Sequence, residues 1–172
     1  PVSVILLLAL WISTFEEIRN RSSVVANRKE MLSVANTQER YALLRDPELN
    51  ADAFRLGMLG YHFLRSRGLV GNDSLLTIID FSLPSSADRL FAINLYNNTL
   101  VCKSPVSHGR NSGDLYASRF SNRMQSHQSS LGFYITGDPY RGGQGYSLIL
   151  HGVDTGYNDL SRTRGIVMHG AD

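Results

Sequence analysis

The chain has one cysteine, Cys102, among 172 residues. A single thiol excludes an internal disulfide framework, and with it CxxC and every other cysteine-based metal spacing. Charge of one sign is also missing. Seventeen basic and fifteen acidic residues leave a net charge of +2. Lysine is scarce beside arginine and no dense basic stripe appears, so nucleic acid is not the expected partner. No apolar run reaches the ~20 residues of a comfortable transmembrane helix. Neither a Gly-x-Ser-x-Gly elbow nor a Ser-x-x-Lys pair occurs, so the common signs of a serine nucleophile are absent. No internal repeat is visible.

The composition is that of a globular protein, 42% apolar and 19% charged, which argues against wholesale disorder. The length fits one domain with a real core, extended by helices. Residues 2–15 (VSVILLLALWISTF) carry no charge. They have the length of a signal-peptide hydrophobic region. The expected division is an apolar, signal-like segment over 1–15, a helical region over 16–70 and a mainly β domain over 71–172. The first segment is also the expected place of a transient membrane contact. Export to the cell envelope, with the periplasm as the site, is the matching expectation.

Residues 16–45 have an untidy helical spacing. Asn50 is a helix N-cap and Ala51 to Arg67 the helix, with Phe54, Met58, Tyr61 and Leu64 on one apolar face. Gly60 costs that helix up to about 1 kcal/mol against alanine, which fits a close approach by another element. Gly68 is the C-terminal stop. Strands are expected at Leu75–Phe81, Arg89–Leu95, Thr99–Val106, Leu131–Thr136, Tyr146–His151 and Ile166–Met168, from β-branched content and alternation. Asn97-Asn98 is a hairpin turn, and Gly137-Asp138-Pro139 and Gly142-Gly143 are further turns. Short strands with glycine-rich turns predict a β-sandwich or barrel behind N-terminal helices, an α+β chain overall.

Two stretches carry candidate chemistry. His169 follows the last strand and precedes Gly170, which has no Cβ to hinder a substrate. A neutral imidazole on a rigid strand end is suited to taking a proton near pH 7, so His169 is the candidate general base. Ser107-His-Gly-Arg-Asn-Ser-Gly113 is a polar loop directly after a strand. It reads either as a wide turn, with Gly109 and Gly113 at positive φ, or as a loop that lines a cleft. Zinc is an alternative chemistry. His108, His151 and His169 each follow a strand and precede glycine, and with Asp172 they would make a ligand set for a zinc hydrolase. Their spacing matches no short metal motif, and no metal or organic cofactor is expected. Cys102 shows no activating neighbour and reads as structural. His62 and His127 read as surface or packing residues.

Several motifs occur in order: Leu76-Thr-Ile-Ile-Asp-Phe-Ser, Pro84-Ser-Ser with Arg89-Leu-Phe, Ser107-His-Gly-Arg-Asn-Ser-Gly, Phe120-Ser-Asn, Gln128-Ser-Ser-Leu-Gly-Phe-Tyr, Gly145-Tyr-Ser-Leu and Arg164-Gly-Ile-Val-Met-His-Gly-Ala-Asp. Over about residues 50–172 this resembles the murein L,D-transpeptidase catalytic-domain family, a branch of the YkuD-like enzymes. The resemblance implies a mainly β catalytic domain acting on peptidoglycan stem peptides by a cysteine–histidine mechanism without cofactor. A thiolate attacks the carbonyl of the third stem residue and expels D-alanine. An amine of a second stem then takes the acyl group, giving a 3→3 cross-link. The His-Gly pair of the family falls on His169-Gly170. Its cysteine follows later in a Ser-x-Gly-Cys motif, which does not occur up to Asp172; Cys102 does not match it. The expectation is a C-terminally incomplete domain, inactive for want of its nucleophile. Ser107, His108, Gly109, Arg110, Asn111, Ser112, Gly113, Ser129, Ser130 and Gly132 are expected to shape the cleft. A non-catalytic peptidoglycan-binding envelope protein is the alternative of a different class.

Overall fold

The computed structural model describes residues 35–71 and 74–170. The expectations for residues 1–34 and for Asp172 therefore lie outside the described residues. The chain divides into two compact units, 1–43 and 44–172. Helix α1 is described over 35–44, where Arg40 Nε donates to Asn36 Oδ1 one turn back at 2.8 Å. No described helix is long and apolar enough to cross a membrane.

The second unit begins with helix α2, Ala51–Ser66. Asn50 caps it as expected, its Oδ1 accepting from the amides of Asp52 at 2.8 Å and Ala53 at 3.1 Å. Those are two of the four amides that a helix start leaves without internal partners. Gly68, at φ +69, takes the left-handed conformation that stops the helix. Phe54, Met58, Tyr61 and Leu64 are the buried face, as their spacing of three and four predicts. Gly57 lies against Ile78 and Leu76, and Gly60 lies flat against the ring of Phe133. A side chain at either position would hold the helix away from the β structure.

Six strands are described: β1 Leu75–Ile79, β2 Leu90–Asn94, β3 Thr99–Ser104, β4 Tyr134–Gly142, β5 Gly145–Gly152 and β6 Val167–His169. They make two three-stranded antiparallel sheets, β1-β2-β3 and β4-β5-β6. In the first, alternation places Phe91, Ile93 and Leu95 inside. There they join Leu49, Ile78 and the buried face of α2 to form the hydrophobic core. The β2–β3 turn uses Asn98 at φ +53, and the side-chain oxygen of Asn94 accepts from the Tyr96 amide at 2.8 Å.

The second sheet departs from the expected boundaries. Leu131-Gly-Phe133 is not strand, because Gly132 at φ +120 breaks the extended backbone. Gly137-Asp138-Pro139 is not a turn but part of β4. The register passes from Thr136↔Leu150 to Pro139↔Leu148, two residues of β4 facing one of β5. That is a β-bulge. Pro139 is tolerated because β4 is an edge strand, where a missing N–H need not cost a ladder bond.

Candidate active site

β6 ends on His169, whose cross-strand partner is Ser147 of β5, itself paired with Tyr140 of β4. The three residues form one row across the second sheet. Ser147 is buried, and the imidazole of His169 is exposed. Its Nδ1 lies 2.6 Å from the carbonyl oxygen of Gly170. A carbonyl only accepts, so Nδ1 carries the proton and Nε2 keeps its lone pair. A Cβ on Gly170 would meet no described atom, so the space beside the imidazole is open.

The loop Ser107–Gly113 and the stretch 126–130 are built into each other. The Gly109 amide donates to Ser129 Oγ at 3.0 Å, and the Ser129 amide donates to Ser112 Oγ at 2.8 Å. Asn111 donates from its amide to the His127 carbonyl at 3.0 Å and from Nδ2 to the Ser126 carbonyl at 2.9 Å. Gln128 Nε2 returns a bond to the Asn111 carbonyl at 3.2 Å. Gly109 is needed for this closeness rather than for positive φ. A Cβ there would stand 2.5 Å from the His127 oxygen and 2.9 Å from the Gln128 Cα, and its φ is not left-handed. Gly113 does have positive φ, +152. Ser112 is fully buried, whereas Ser107 and Arg110 face solvent.

His108 is pinned on both ring nitrogens. Nδ1 lies 2.8 Å from Arg89 Nη2, and Nε2 lies 3.1 Å from the Gly113 oxygen. A guanidinium only donates and a carbonyl only accepts, so Nδ1 is the acceptor and Nε2 holds the proton. Arg89 is completely buried. Its other hydrogen bonds go to the carbonyls of Val106, at 2.9 and 2.6 Å, and Leu83, at 3.0 Å. Burial lowers its pKa below the ordinary arginine value, yet it remains a cation at neutral pH. The guanidinium also stands 5.0 Å from the Phe81 ring centroid, so carbonyl dipoles and an aromatic face stabilise it.

Arg164, three residues before β6, ties the polar stretch to the second sheet. It donates to the Ser121 carbonyl at 2.6 Å, Ser126 Oγ at 3.1 Å, the Gln128 carbonyl at 2.5 Å and the hydroxyl of Ser130. Ser130 is buried and accepts from the Tyr134 phenol through its carbonyl at 3.0 Å. Burial holds that phenol above its usual range, so it stays protonated at neutral pH. Gly132 lies against Asp154 and Asn158. Asp154 Oδ2 accepts from the Phe133 amide at 2.6 Å, and the buried Asn158 donates Nδ2 to the Phe133 carbonyl at 2.9 Å. Ser161, also buried, donates to the Leu150 carbonyl at 2.8 Å and accepts from the Gly152 amide at 2.7 Å. Reading the sequence misses this Asp154–Asn158–Ser161 plug. In a polar loop nothing local tells which amide or hydroxyl turns inward.

The zinc arrangement does not form. Both nitrogens of His108 are occupied by protein. His151 lies four residues along β5 from Ser147, the partner of His169, about 13 Å at the usual strand rise. Zinc ligands must all lie about 2 Å from the metal. Among the described residues no three His, Cys, Asp or Glu side chains gather for a metal. His62 and His127 are exposed. Cys102 is exposed on β3, in the sheet that does not carry His169; its one sulfur contact is a long 3.6 Å to the Lys103 carbonyl.

Two antiparallel sheets after N-terminal helices, with a histidine at the end of one strand and a hydrogen-bonded polar loop elsewhere in the same unit, define a mainly β domain of the kind the ordered motifs imply. A family profile, the L,D-transpeptidase catalytic domain, matches residues 45–172, and the chain belongs to that family. The family acts on peptidoglycan stem peptides and works in the cell envelope. No curated protein and no solved structure matches the chain.

Proposed function

We propose that this domain takes part in L,D-transpeptidase acyl transfer on peptidoglycan stem peptides, with His169 as the general base. The supporting observation is the His169 tautomer. With Nδ1–H held by the Gly170 carbonyl, the free Nε2 lone pair can remove the proton from a thiol. The thiolate forms a C–S bond to the carbonyl of the third stem residue. The C–N bond to D-alanine then breaks, and the imidazolium returns its proton to the departing amine. In the second half the amine of another stem attacks the thioester carbonyl, Nε2 takes the proton that amine sheds, and the C–S bond breaks to release the sulfur as thiolate, which the imidazolium reprotonates. The locked loop Ser107–Gly113, with Ser129, Ser130 and Gly132, is proposed to form a rigid wall of the cleft.

The thiol is not Cys102. That residue stands on the other sheet, and among the described residues no base hydrogen-bonds its sulfur. The proposal draws the thiol from a Ser-x-Gly-Cys segment C-terminal to Asp172, in a cell-envelope protein.

The test is mass spectrometry after incubation with a disaccharide-tetrapeptide. The 172-residue chain should form no acyl adduct, and an adduct on Cys102 would overturn the assignment. In protein that includes the Ser-x-Gly-Cys segment, His169→Gln should slow acyl-enzyme formation about 10²- to 10⁴-fold, the usual contribution of a positioned base. Unchanged acylation in that variant would remove His169 from the mechanism.

A further inference from the structure

Within the polar stretch lies a pocket of about 380 Å³ lined by Phe120, Ser121, Arg123, Met124, Ser126 and Gln128. None of these is acidic. Arg164 fixes three of them, through the Ser121 and Gln128 carbonyls and the Ser126 hydroxyl oxygen. Ser121 Oγ accepts from the Arg123 amide at 3.0 Å. Both serine oxygens are therefore engaged as acceptors, which leaves their O–H groups to donate outward. The Arg123 guanidinium is exposed and makes no hydrogen bond or ion pair among the described residues. The backbone is strained on both sides of Ser126: Gln125 has φ +56 and His127 φ +53. Left-handed backbone costs a non-glycine residue of order 1 kcal/mol or more, and here it is held by the Asn111 bonds to the Ser126 and His127 carbonyls.

A pocket that offers hydroxyl donors and a free guanidinium, with a second guanidinium bonded to its lining and no acid in that lining, suits an anion with paired oxygens. Phe120 and Met124 supply an apolar wall for the carbon body of the same ligand. We propose that this pocket binds the free carboxylate end of a peptide, with Arg123 as the forked donor and the hydroxyls of Ser121 and Ser126 completing the shell. That the peptide is a peptidoglycan stem rests on the L,D-transpeptidase reading. The preference for a carboxylate rests on the pocket alone.

The experiment is calorimetric titration of the protein with two peptide pairs. One is a stem tetrapeptide as free acid and as C-terminal amide. The other is N-acetyl-Ala-Ala-Leu in the same two forms. Each acid should bind about ten- to hundredfold more tightly than its amide, the worth of charge-assisted bonds to a carboxylate. Arg123→Gln should abolish that ratio in both pairs without lowering the melting temperature, since the side chain holds nothing in the fold. His169→Ala should leave the ratio intact. Equal binding of acid and amide in both pairs, or an undiminished ratio in Arg123→Gln, overturns the pocket. Stem peptides that still bind, with acid and amide equal in both pairs, would leave the transpeptidase reading standing while the pocket falls. An acid preference confined to N-acetyl-Ala-Ala-Leu would keep the pocket and count against a stem peptide as its occupant.

Discussion

At His108 an imidazole nitrogen accepts from a fully buried guanidinium, and the other nitrogen donates to a backbone carbonyl. Removing the imidazole leaves Arg89 with one donor facing no acceptor in a dry site. Such a loss costs about 1–3 kcal/mol, and more when the donor is charged. His108→Ala should therefore lower unfolding stability by that amount or somewhat more. His108→Asn should lose less, because its carbonyl oxygen can stand near the Nδ1 position and accept from Arg89. Urea unfolding of both variants decides; equal losses would show that the Arg89 contact is worth little. His169 has the opposite environment, with one nitrogen bonded to its own neighbour and the other open. Sequence pattern placed both histidines at strand ends before glycine, and gave them the same appearance. What separates them is a partner nineteen positions away in the chain, and no local periodicity records such a pair.

Helix α2 shows where a local pattern suffices. Its cap, stop and buried face are set by neighbours within a few residues, so they were legible from spacing alone. Gly60 was legible only as an anomaly, and its reason is the Phe133 ring from outside the helix. Gly60→Ala gains up to about 1 kcal/mol of helix propensity but drives a methyl group into that ring, an overpacking of about 1–3 kcal/mol. The clash should win, giving net destabilisation in chemical denaturation. Gly57→Ala meets the end of the flexible Ile78 side chain, with the Cδ1 atom at 3.1 Å, and should cost less. A Gly60→Ala protein at least as stable as the parent would refute the packing account. At the other end of the domain, Arg164 holds four groups of the stretch 121–130. Lysine keeps the charge but not the fork. Arg164→Lys should raise hydrogen-exchange rates at the Ser129 and Gly109 amides while those of β1–β3 stay unchanged. Uniform protection in the variant would mean the loop pair stands without its arginine. The β4 bulge was misread because Gly-Asp-Pro carries the local chemistry of a turn; only the pairing with β5 makes it strand.

Across the second unit, the entry to α2 is tied to the first sheet by charge. Lys103 of β3 bonds Asp46 at 3.1 Å and also pairs with Glu48, partners more than fifty residues away in sequence. This long-range tie was invisible in the sequence, where Asp46-Pro47-Glu48 reads only as a turn. Burial pushes the Asp46 carboxyl up, but the Lys103 ammonium and the amides of Glu48 and Leu49 together hold it below its ordinary value. Glu48 foremost raises Lys103 above its ordinary value, with Asp46 adding to it against desolvation. The two signs fix a window. A depressed carboxylate stabilises the fold above its unfolded value near pH 4, and that share disappears as pH falls through the lower folded value. A raised ammonium stabilises below its unfolded value near pH 10.4, and its share disappears as pH rises through the higher folded value. The tie therefore acts throughout the neutral range and fails at both ends. Lys103→Met keeps most of the aliphatic stem and removes the ammonium, whose Nζ stands 5.7 Å from the Phe91 ring centroid. Its stability deficit should be constant from about pH 6 to 9, and should shrink as pH falls below about 4 and again in strong alkali. Urea unfolding across that range reads it directly. A deficit that stays the same from acid to neutral pH would show that Lys103 acts through its contact with the Phe91 ring rather than through the two carboxylates.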